Sequence, residues 1–432
     1  MADFARSKDT AVQLQLDRLA TSSTAGDRLG LDRISRLLDR LGRPQDALPP
    51  VFHVAGTNGK GSTCAFLRAA IEAAGLSVHV FTSPHLVRFN ERIRLAGELI
   101  DDESLADLLE EVIDAGKGID ASFFEVITAV AFLAFARTPA DACIIEVGLG
   151  GRLDATNVVE RPVVCGIASL GLDHQQFLGS DLVGIAREKA AIAKPGVPLV
   201  TLDYPEEVME AVQGVAEKAG TDPCPALRRW HYGVARGRLQ YRDGDGALMV
   251  PLPTMQGLHQ LDNCALALAM LRHQRAIHVP LHALKQMPLV ARWPGRLQQL
   301  GPGPLVAAAG GAAIWVDGGH NPDAAERIAD WLEERPAPPA LVIGLLANKD
   351  AQGFVAPLAA LASEIRFVPV PGHDSHAADW LARLATAEGA RKVSSASSLE
   401  DAVRRLDAPE VAILGSLYLA GEALAANDEA PD

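Results

Sequence analysis

The sequence has no surplus of basic residues: 40 Lys and Arg stand against 54 Asp and Glu, a formal net charge of −14. A general nucleic-acid binder needs a basic face, so that class is excluded. A nucleotide is not excluded, because one loop can be locally positive in an acidic chain. No stretch offers the ~20 uninterrupted apolar residues of a membrane span, so no membrane partner is expected. The residues behind Met1 are polar and charged (Asp3, Arg6, Lys8, Asp9), and no apolar core of a secretory signal follows them. Cysteine is sparse and unpatterned. Cys64, Cys143, Cys165, Cys224 and Cys264 form no CxxC pair, which argues for reduced thiols in a cytoplasm and against a disulfide framework. There is no internal repeat, no long low-complexity segment, and no exposed apolar helix that would pair two copies. At 432 residues the chain exceeds one comfortable core, so two domains are expected.

What is present is a glycine loop with a lysine. Gly56-Thr57-Asn58-Gly59-Lys60-Gly61-Ser62-Thr63 lies between the apolar run Val51–Ala55 and a helical stretch ending near Ala74. A strand, a glycine loop and a helix aim backbone N–H groups at phosphate, and glycines let the chain approach without side chains in the way. Lys60 adds a point charge for terminal phosphates, and Ser62 or Thr63 offers a hydroxyl to Mg²⁺. The spacing departs from the usual phosphate-loop pattern. Val54 stands where its first glycine belongs, and Gly61 follows the lysine in place of Ser or Thr. The bland reading, a βα turn that binds nothing, has to ignore the lysine and both flanks.

Apolar strand-like runs alternate with helical patterns through Val78–Phe81, Ala142–Val147, Val163–Ser169 and Val197–Leu202, which implies a parallel sheet covered on both faces. Between Trp230 and Leu252 the pattern alternates around Asp243-Gly244-Asp245-Gly246, a small antiparallel hairpin. A Pro/Gly cluster from Arg292 to Pro304 reads as a domain junction. The alternation then resumes near Ile314, Ala340, Ile365 and Val411, and Ala425–Asp432 reads as a frayed acidic tail. The expected fold is α/β. An N-terminal P-loop ATPase-like domain with a mostly parallel sheet and a small antiparallel subregion spans 1–297. A smaller C-terminal Rossmann-like α/β domain spans 298–432.

In open parallel sheets, ligands bind beyond the carboxyl ends of the strands. Besides the glycine loop, three polar clusters fall at such ends: Thr82-Ser83-Pro84-His85, the stretch from Glu146 to Asp154, and Asp173-His174. They suit a Mg·ATP site, since Mg²⁺ takes one or two protein oxygens plus phosphates and waters. Glu146 inside Ile144-Ile145-Glu146-Val147 is the most informative, because a carboxylate in an apolar strand must be paired or metal-bound. Ser83 alone reads as a turn residue, His174 equally as a cap or core histidine, and Lys189 as a solvated helical lysine. Asp317-Gly318-Gly319-His320-Asn321-Pro322 is a further strand-end cluster, and Arg296 at the junction carries a fork suited to phosphate or carboxylate. Two domains with such groups suggest that ATP and acceptor meet in the cleft between them.

From about Gly30 to Gly421 these motifs stand in an order that resembles the folylpolyglutamate synthase/dihydrofolate synthase family, within the Mur-ligase superfamily of ATP-dependent amide ligases. The resemblance is carried by residues 56–62, Ser83-Pro84-His85-Leu86-Val87, Phe124-Glu125, the block Glu146–Asn157, Leu172-Asp173-His174, Arg187-Glu188-Lys189-Ala190, Pro294-Gly295-Arg296 and His320-Asn321-Pro322. It implies that Asn58, Gly59, Lys60, Gly61, Ser62, Asn263, Arg296 and Asp317 bind ATP. It implies that Ser83, Glu146, His174 and Lys189 ligate two Mg²⁺ ions, with Lys189 carried as a carbamate. Ser122, Phe123, Phe124 and Glu125, with Leu153, Asp154 and Ala155, would form a pterin pocket. Lys60, Lys189 and His320 would be the catalytic set, with His320 near the glutamate site.

The implied reaction adds L-glutamate to 7,8-dihydropteroate and further glutamates to reduced folates, through an acyl phosphate, in a cytoplasmic monomer. A ligase performing only the polyglutamylation step is the alternative. A cell-wall ligase and a non-catalytic nucleotide sensor fit the residues less well. Asn348-Lys349-Asp350, Tyr418 and Gly318-Gly319 depart from the family's usual residues and bear on glutamate binding.

Overall fold

The computed structural model describes residues 6–22, 29–404, 406 and 408–431. Asp3 of the polar N-terminus and Asp432 of the acidic tail lie outside them. The chain divides into two compact units. The first comprises Met1–His85, Phe89–Thr254 and Gln260–Arg292; the second comprises Leu86–Arg88, Met255–His259 and Trp293–Asp432.

The first unit is built on β1 (Val51–Ala55), β2 (Val78–Phe81), β3 (Ile93–Leu95), β4 (Glu98–Leu99), β5 (Ala142–Glu146), β6 (Val164–Ile167), β7 (Leu199–Thr201) and β8 (Pro223–Pro225). They form one sheet in the order β4-β3-β2-β5-β1-β6-β7-β8. From β2 to β8 the pairing is parallel, and β3 and β4 add an antiparallel edge. β1, β2, β5 and β6 are buried at every residue, which is why they read as continuous apolar runs rather than alternating ones. Helix Lys60–Ala73 follows β1 directly. Helix Phe123–Arg137 is apolar nearly all round and sits in the core, its start fixed by a Ser122/Glu125 capping box.

Register places the site. Val54 of β1 pairs with Glu146 of β5, Ala55 pairs with Ile167 of β6, and Phe81 of β2 pairs with Ile145 of β5. The loops leaving β2, β5, β1 and β6 therefore emerge side by side at one rim.

A separate antiparallel sheet holds β9 (His231–Ala235), β10 (Arg238–Asp243) and β11 (Gly246–Pro251). The expected hairpin around Asp243–Gly246 is there, but a third strand joins it. The extra turn uses Arg236 and Gly237, both at positive φ. Such a turn is normally signalled by Asn-Gly or Gly-Gly, and arginine gave no such signal.

The second unit carries β12 (Gln298–Gln299), β13 (Ala313–Val316), β14 (Ala340–Ile343), β15 (Glu364–Phe367), β16 (Val393–Ser395) and β17 (Glu410–Leu414), in the order β12-β13-β17-β14-β15-β16. All pairs are parallel except β12–β13. One face packs Leu341, Ile343, Phe354 and Trp331; the other packs Val342, Ile413, Leu419 and Leu424. The chain end is docked rather than frayed. Glu429 accepts from the Gly301 N–H at 2.6 Å, and the buried Asn427 side chain bonds the Gly301 carbonyl and the Val306 N–H. Polar side chains that satisfy backbone groups fix a tail as firmly as apolar ones.

Candidate functional site

The glycine loop leaves β1 with Gly56 at φ +150°, where a Cβ would stand 2.9 Å from the Ala168 Cβ. The N–H groups of Thr57 and Asn58 both donate to the Ser169 carbonyl, at 2.7 and 3.3 Å. The Thr57 hydroxyl donates to the Gly171 carbonyl at 3.0 Å. The loop is thus braced against the segment leaving β6, a role for Thr57 that its place in the motif did not signal. Gly59 at φ +83° is the left-handed residue before the helix, and a Cβ there would overlap the Asn263 side chain. This brings Asn263, buried on helix His259–His273, onto the loop. Gly61 and Ser62 form the buried first turn of helix Lys60–Ala73, whose open N–H groups and dipole favour an anion.

Lys60 donates to the Thr57 carbonyl at 3.2 Å and stands 4.0 Å from Glu146 Oε1. Glu146, 4 % exposed at the end of β5, accepts at Oε2 from the Ser83 N–H at 3.3 Å. The structure therefore gathers Lys60, Ser83 and Glu146 at the ends of three neighbouring strands.

Lys189 joins them from helix Leu182–Ala190, donating to the Gly56 carbonyl at 3.0 Å. It is only 5 % exposed, not the solvated lysine its spacing suggests. The cause is Gly151. A Cβ there would lie 2.6 Å from the Glu188 carbonyl, so the missing side chain lets the loop lie against the helix, where the Arg152 N–H donates to Glu188. Burial, and then the charge of Lys60, bring the Lys189 pKa down to about 7, opposed by Asp173 and Asp154. Asp173, from the strand-end pair Asp173-His174, is thus a charge partner of Lys189. His174 sits at φ +51° before the single turn Gln175–Leu178, its side chain 46 % exposed and its Nε2 3.9 Å from Asp173.

Ser122 and Glu125 are engaged with each other. Glu125 Oε2 accepts from the Ser122 N–H at 2.6 Å, and the Ser122 hydroxyl accepts from the Glu125 N–H at 3.3 Å. Arg33, which the motifs did not flag, pairs with the same carboxylate at 3.0 Å. Phe123 is buried, edge-on to Phe89 with the Arg92 guanidinium above it. Phe124 is half-buried, tilted against Phe81, and its ring occupies the space a Cβ on Gly148 would take. Of the two rings, Phe124 is the one bordering the 148–155 loop. In that loop Leu153 is half-buried and Ala155 buried. Asp154 accepts from the N–H groups of Leu149 and Thr156 and from the Thr156 hydroxyl.

In the second unit Asp317 is buried and holds its own loop, accepting from the N–H groups of Leu297 and Gly319 at 2.9 and 2.6 Å. Arg296 lies alongside, its Nη1 3.3 Å from where a Gly318 Cβ would be. The His320 ring meets the Gly318 carbonyl through Nδ1 at 2.8 Å, and Asn321 caps helix Pro322–Glu333. Tyr418 stacks on His373 at 3.7 Å.

Among the described residues no three His, Cys, Asp or Glu side chains converge as a ready-made metal cage, and no helix is long and apolar enough to cross a membrane. A hydroxyl and one buried carboxylate beside a phosphate loop suit Mg²⁺, which shares its shell between protein oxygens, phosphates and water.

Comparison with known proteins identifies the family. The family described as Mur ligase, glutamate ligase domain, matches residues 295–413. The chain is 34% identical over 360 residues to the dihydrofolate synthase/folylpolyglutamate synthase of Bacillus subtilis (strain 168), covering 79% of this chain and 81% of that protein. It is 36% identical over 356 residues to the protein of the same name from Escherichia coli (strain K12), covering 82% and 80%. The structure of E. coli FolC in complex with DHPP and ADP superposes with a TM-score of 0.84 at 31% identity, covering 95% of this chain and 97% of that one. The bifunctional enzyme of Yersinia pestis complexed with AMPPNP and Mn ion does so with a TM-score of 0.84 at 30% identity, covering 98% and 99%. By sequence and by fold, the chain belongs to the dihydrofolate synthase/folylpolyglutamate synthase family of the Mur ligases.

Proposed function

We propose that this ATP-dependent ligase joins L-glutamate to 7,8-dihydropteroate, forming dihydrofolate, and adds further glutamates to reduced folates. The observation that carries the reading is the meeting of Lys60, Ser83, Glu146 and Lys189 where β1, β2 and β5 end. The phosphate loop with Lys60 holds the ATP phosphates, and Asn263 keeps Gly59 in place. The pterin end of the acceptor lies against Phe124, beside Leu153, Asp154 and Ala155. Arg296 and Asp317 serve ATP, and His320 serves glutamate.

The acceptor carboxylate attacks the γ-phosphorus and ADP leaves, giving an acyl phosphate. The unprotonated amine of L-glutamate attacks the acyl carbon. Phosphate departs with the C–O bond electrons, and the ammonium proton passes to solvent. The protein supplies no nucleophile; it positions the reactants and neutralises charge as the phosphoryl group moves. Lys60 follows the γ-phosphate. Ser83, Glu146 and His174 are the residues that would hold Mg²⁺, which when bound neutralises phosphate charge. Lys189, with its pKa near 7, is substantially an unprotonated amine at neutral pH. Carbamylated by CO₂ with release of a proton, it would offer an oxygen to a second Mg²⁺. Reduced, unpaired cysteines suit a cytoplasmic setting.

Acceptor labelled with ¹⁸O in its carboxylate tests the chemistry. One ¹⁸O should appear in released phosphate. Unlabelled phosphate would exclude the acyl phosphate route.

A further inference from the structure

β1 carries one polar side chain in its interior. His53 is fully buried and its Nε2 lies 2.8 Å from the Thr156 hydroxyl oxygen. Thr156, also fully buried, lies 2.5 Å from Asp154 Oδ1 through the same oxygen. Asp154 in turn accepts from the Leu149 N–H at Oδ2, 2.8 Å, and from the Thr156 N–H at Oδ1, 3.0 Å. A line of hydrogen bonds therefore runs from the strand before the phosphate loop to the carboxylate in the 148–155 loop.

The Thr156 hydroxyl has one proton and two polar neighbours. Burial raises the Asp154 pKa, and the Thr156 hydroxyl and nearby backbone N–H groups oppose that rise. Oδ2 accepts from the Leu149 N–H and Oδ1 from the Thr156 N–H, so both oxygens act as acceptors and the Thr156 hydroxyl donates to Oδ1. The hydroxyl oxygen must then accept from His53, which requires the proton on Nε2. Burial lowers the His53 pKa to about 3, so the ring is neutral and has one proton to place. The bare Nδ1 has no hydrogen-bond partner. An orphaned acceptor is more tolerable than the orphaned N–H donor of the opposite tautomer.

We propose that His53 is a positioning residue for the acceptor pocket, orienting Asp154 through the Thr156 hydroxyl. The inference rests on the reading of Leu153–Ala155 as part of that pocket. His53 touches neither ATP nor acceptor. It fixes which way the hydroxyl points, and the hydroxyl holds the buried Asp154 carboxylate in the 148–155 loop.

The test is steady-state kinetics with 7,8-dihydropteroate, Mg·ATP and L-glutamate on His53→Leu, Thr156→Val and the double variant. Each single change should raise the KM for dihydropteroate about tenfold, on the order of the loss of one hydrogen bond, with the KM for ATP unchanged. The double variant should show the same KM as Thr156→Val alone, because His53 acts only through that hydroxyl. His53→Gln, which keeps a donor near the Nε2 position, and Thr156→Ser should both restore the wild-type KM. Multiplicative losses in the double variant, or an equal rise in the KM for ATP, would overturn the proposal, since either is what general loosening gives. Thr156→Val preserves volume, so an unchanged dihydropteroate KM in that variant also overturns it should His53→Leu not fold. Asp154→Asn separates the two readings. If it raises the dihydropteroate KM while the other variants do not, the positioning role fails and the pocket stands; if it has no effect, the pocket assignment fails.

Discussion

Replacing Lys189 by Met should make the protein more stable and inactive at once. The wild-type pKa falls from 10.5 to about 7, so burying this amine at neutral pH costs on the order of 5 kcal/mol relative to the unfolded chain. Met fills similar space without that cost and loses only the hydrogen bond to the Gly56 carbonyl, about 1 kcal/mol. The net gain at pH 7 is a few kcal/mol. The sign follows from proton counts. Between pH 7 and 10.5 the unfolded chain holds a proton on Lys189 that the folded chain has released, so wild-type stability rises with pH through this window. Below pH 7 both states are protonated and the deficit is constant; above 10.5 it is gone. Urea unfolding of both proteins in bicarbonate-free buffer from pH 6 to 10.5 measures the difference and cancels the titration of other groups. The advantage of Lys189→Met should be full at pH 6–7 and shrink toward pH 10.5, and the variant should form no amide product. A pH-independent difference, or a variant less stable than wild type at pH 7, would refute the buried, discharged lysine.

Lys60→Ala should cut ligation at least about a hundredfold while the circular dichroism spectrum stays that of the wild type; normal turnover would remove Lys60 from phosphate binding. Glu146→Gln should shift the Mg²⁺ titration of activity upward by about tenfold or more, through loss of a charged oxygen ligand, and an unshifted curve would contradict its role. Gly148→Ala forces a methyl into the Phe124 ring; an overpacking strain of ~1–3 kcal/mol should raise the KM for dihydropteroate about tenfold and leave the KM for ATP alone.

The parts of the fold that were legible share one cause. β1, β2, β5 and β6 are buried on both faces, so apolar runs marked them, and Gly59-Lys60 marked the helix start. β16 is Val-Ser-Ser with two exposed residues, and its place at the sheet edge comes from pairing with β15, which composition does not encode. The burial of Lys189 depends on Gly151 and a loop packed across a helix, a tertiary event that spacing along one helix cannot report. The Arg33–Glu125 pair joins residues 92 positions apart, and no local pattern announces such a partner. Glu146 was legible because an ionised group in an apolar strand demands a compensating charge or metal, whereas His174 in a half-exposed loop carried no such demand.

The most direct test of the whole account is the mass of the products formed by purified protein with Mg·ATP and L-glutamate, run in parallel on 7,8-dihydropteroate and on tetrahydrofolate. A glutamate increment is expected on both, each dependent on ATP. An increment on tetrahydrofolate alone would contradict the dihydropteroate pocket around Phe124 and Asp154, and an increment on neither would contradict the assigned acceptors.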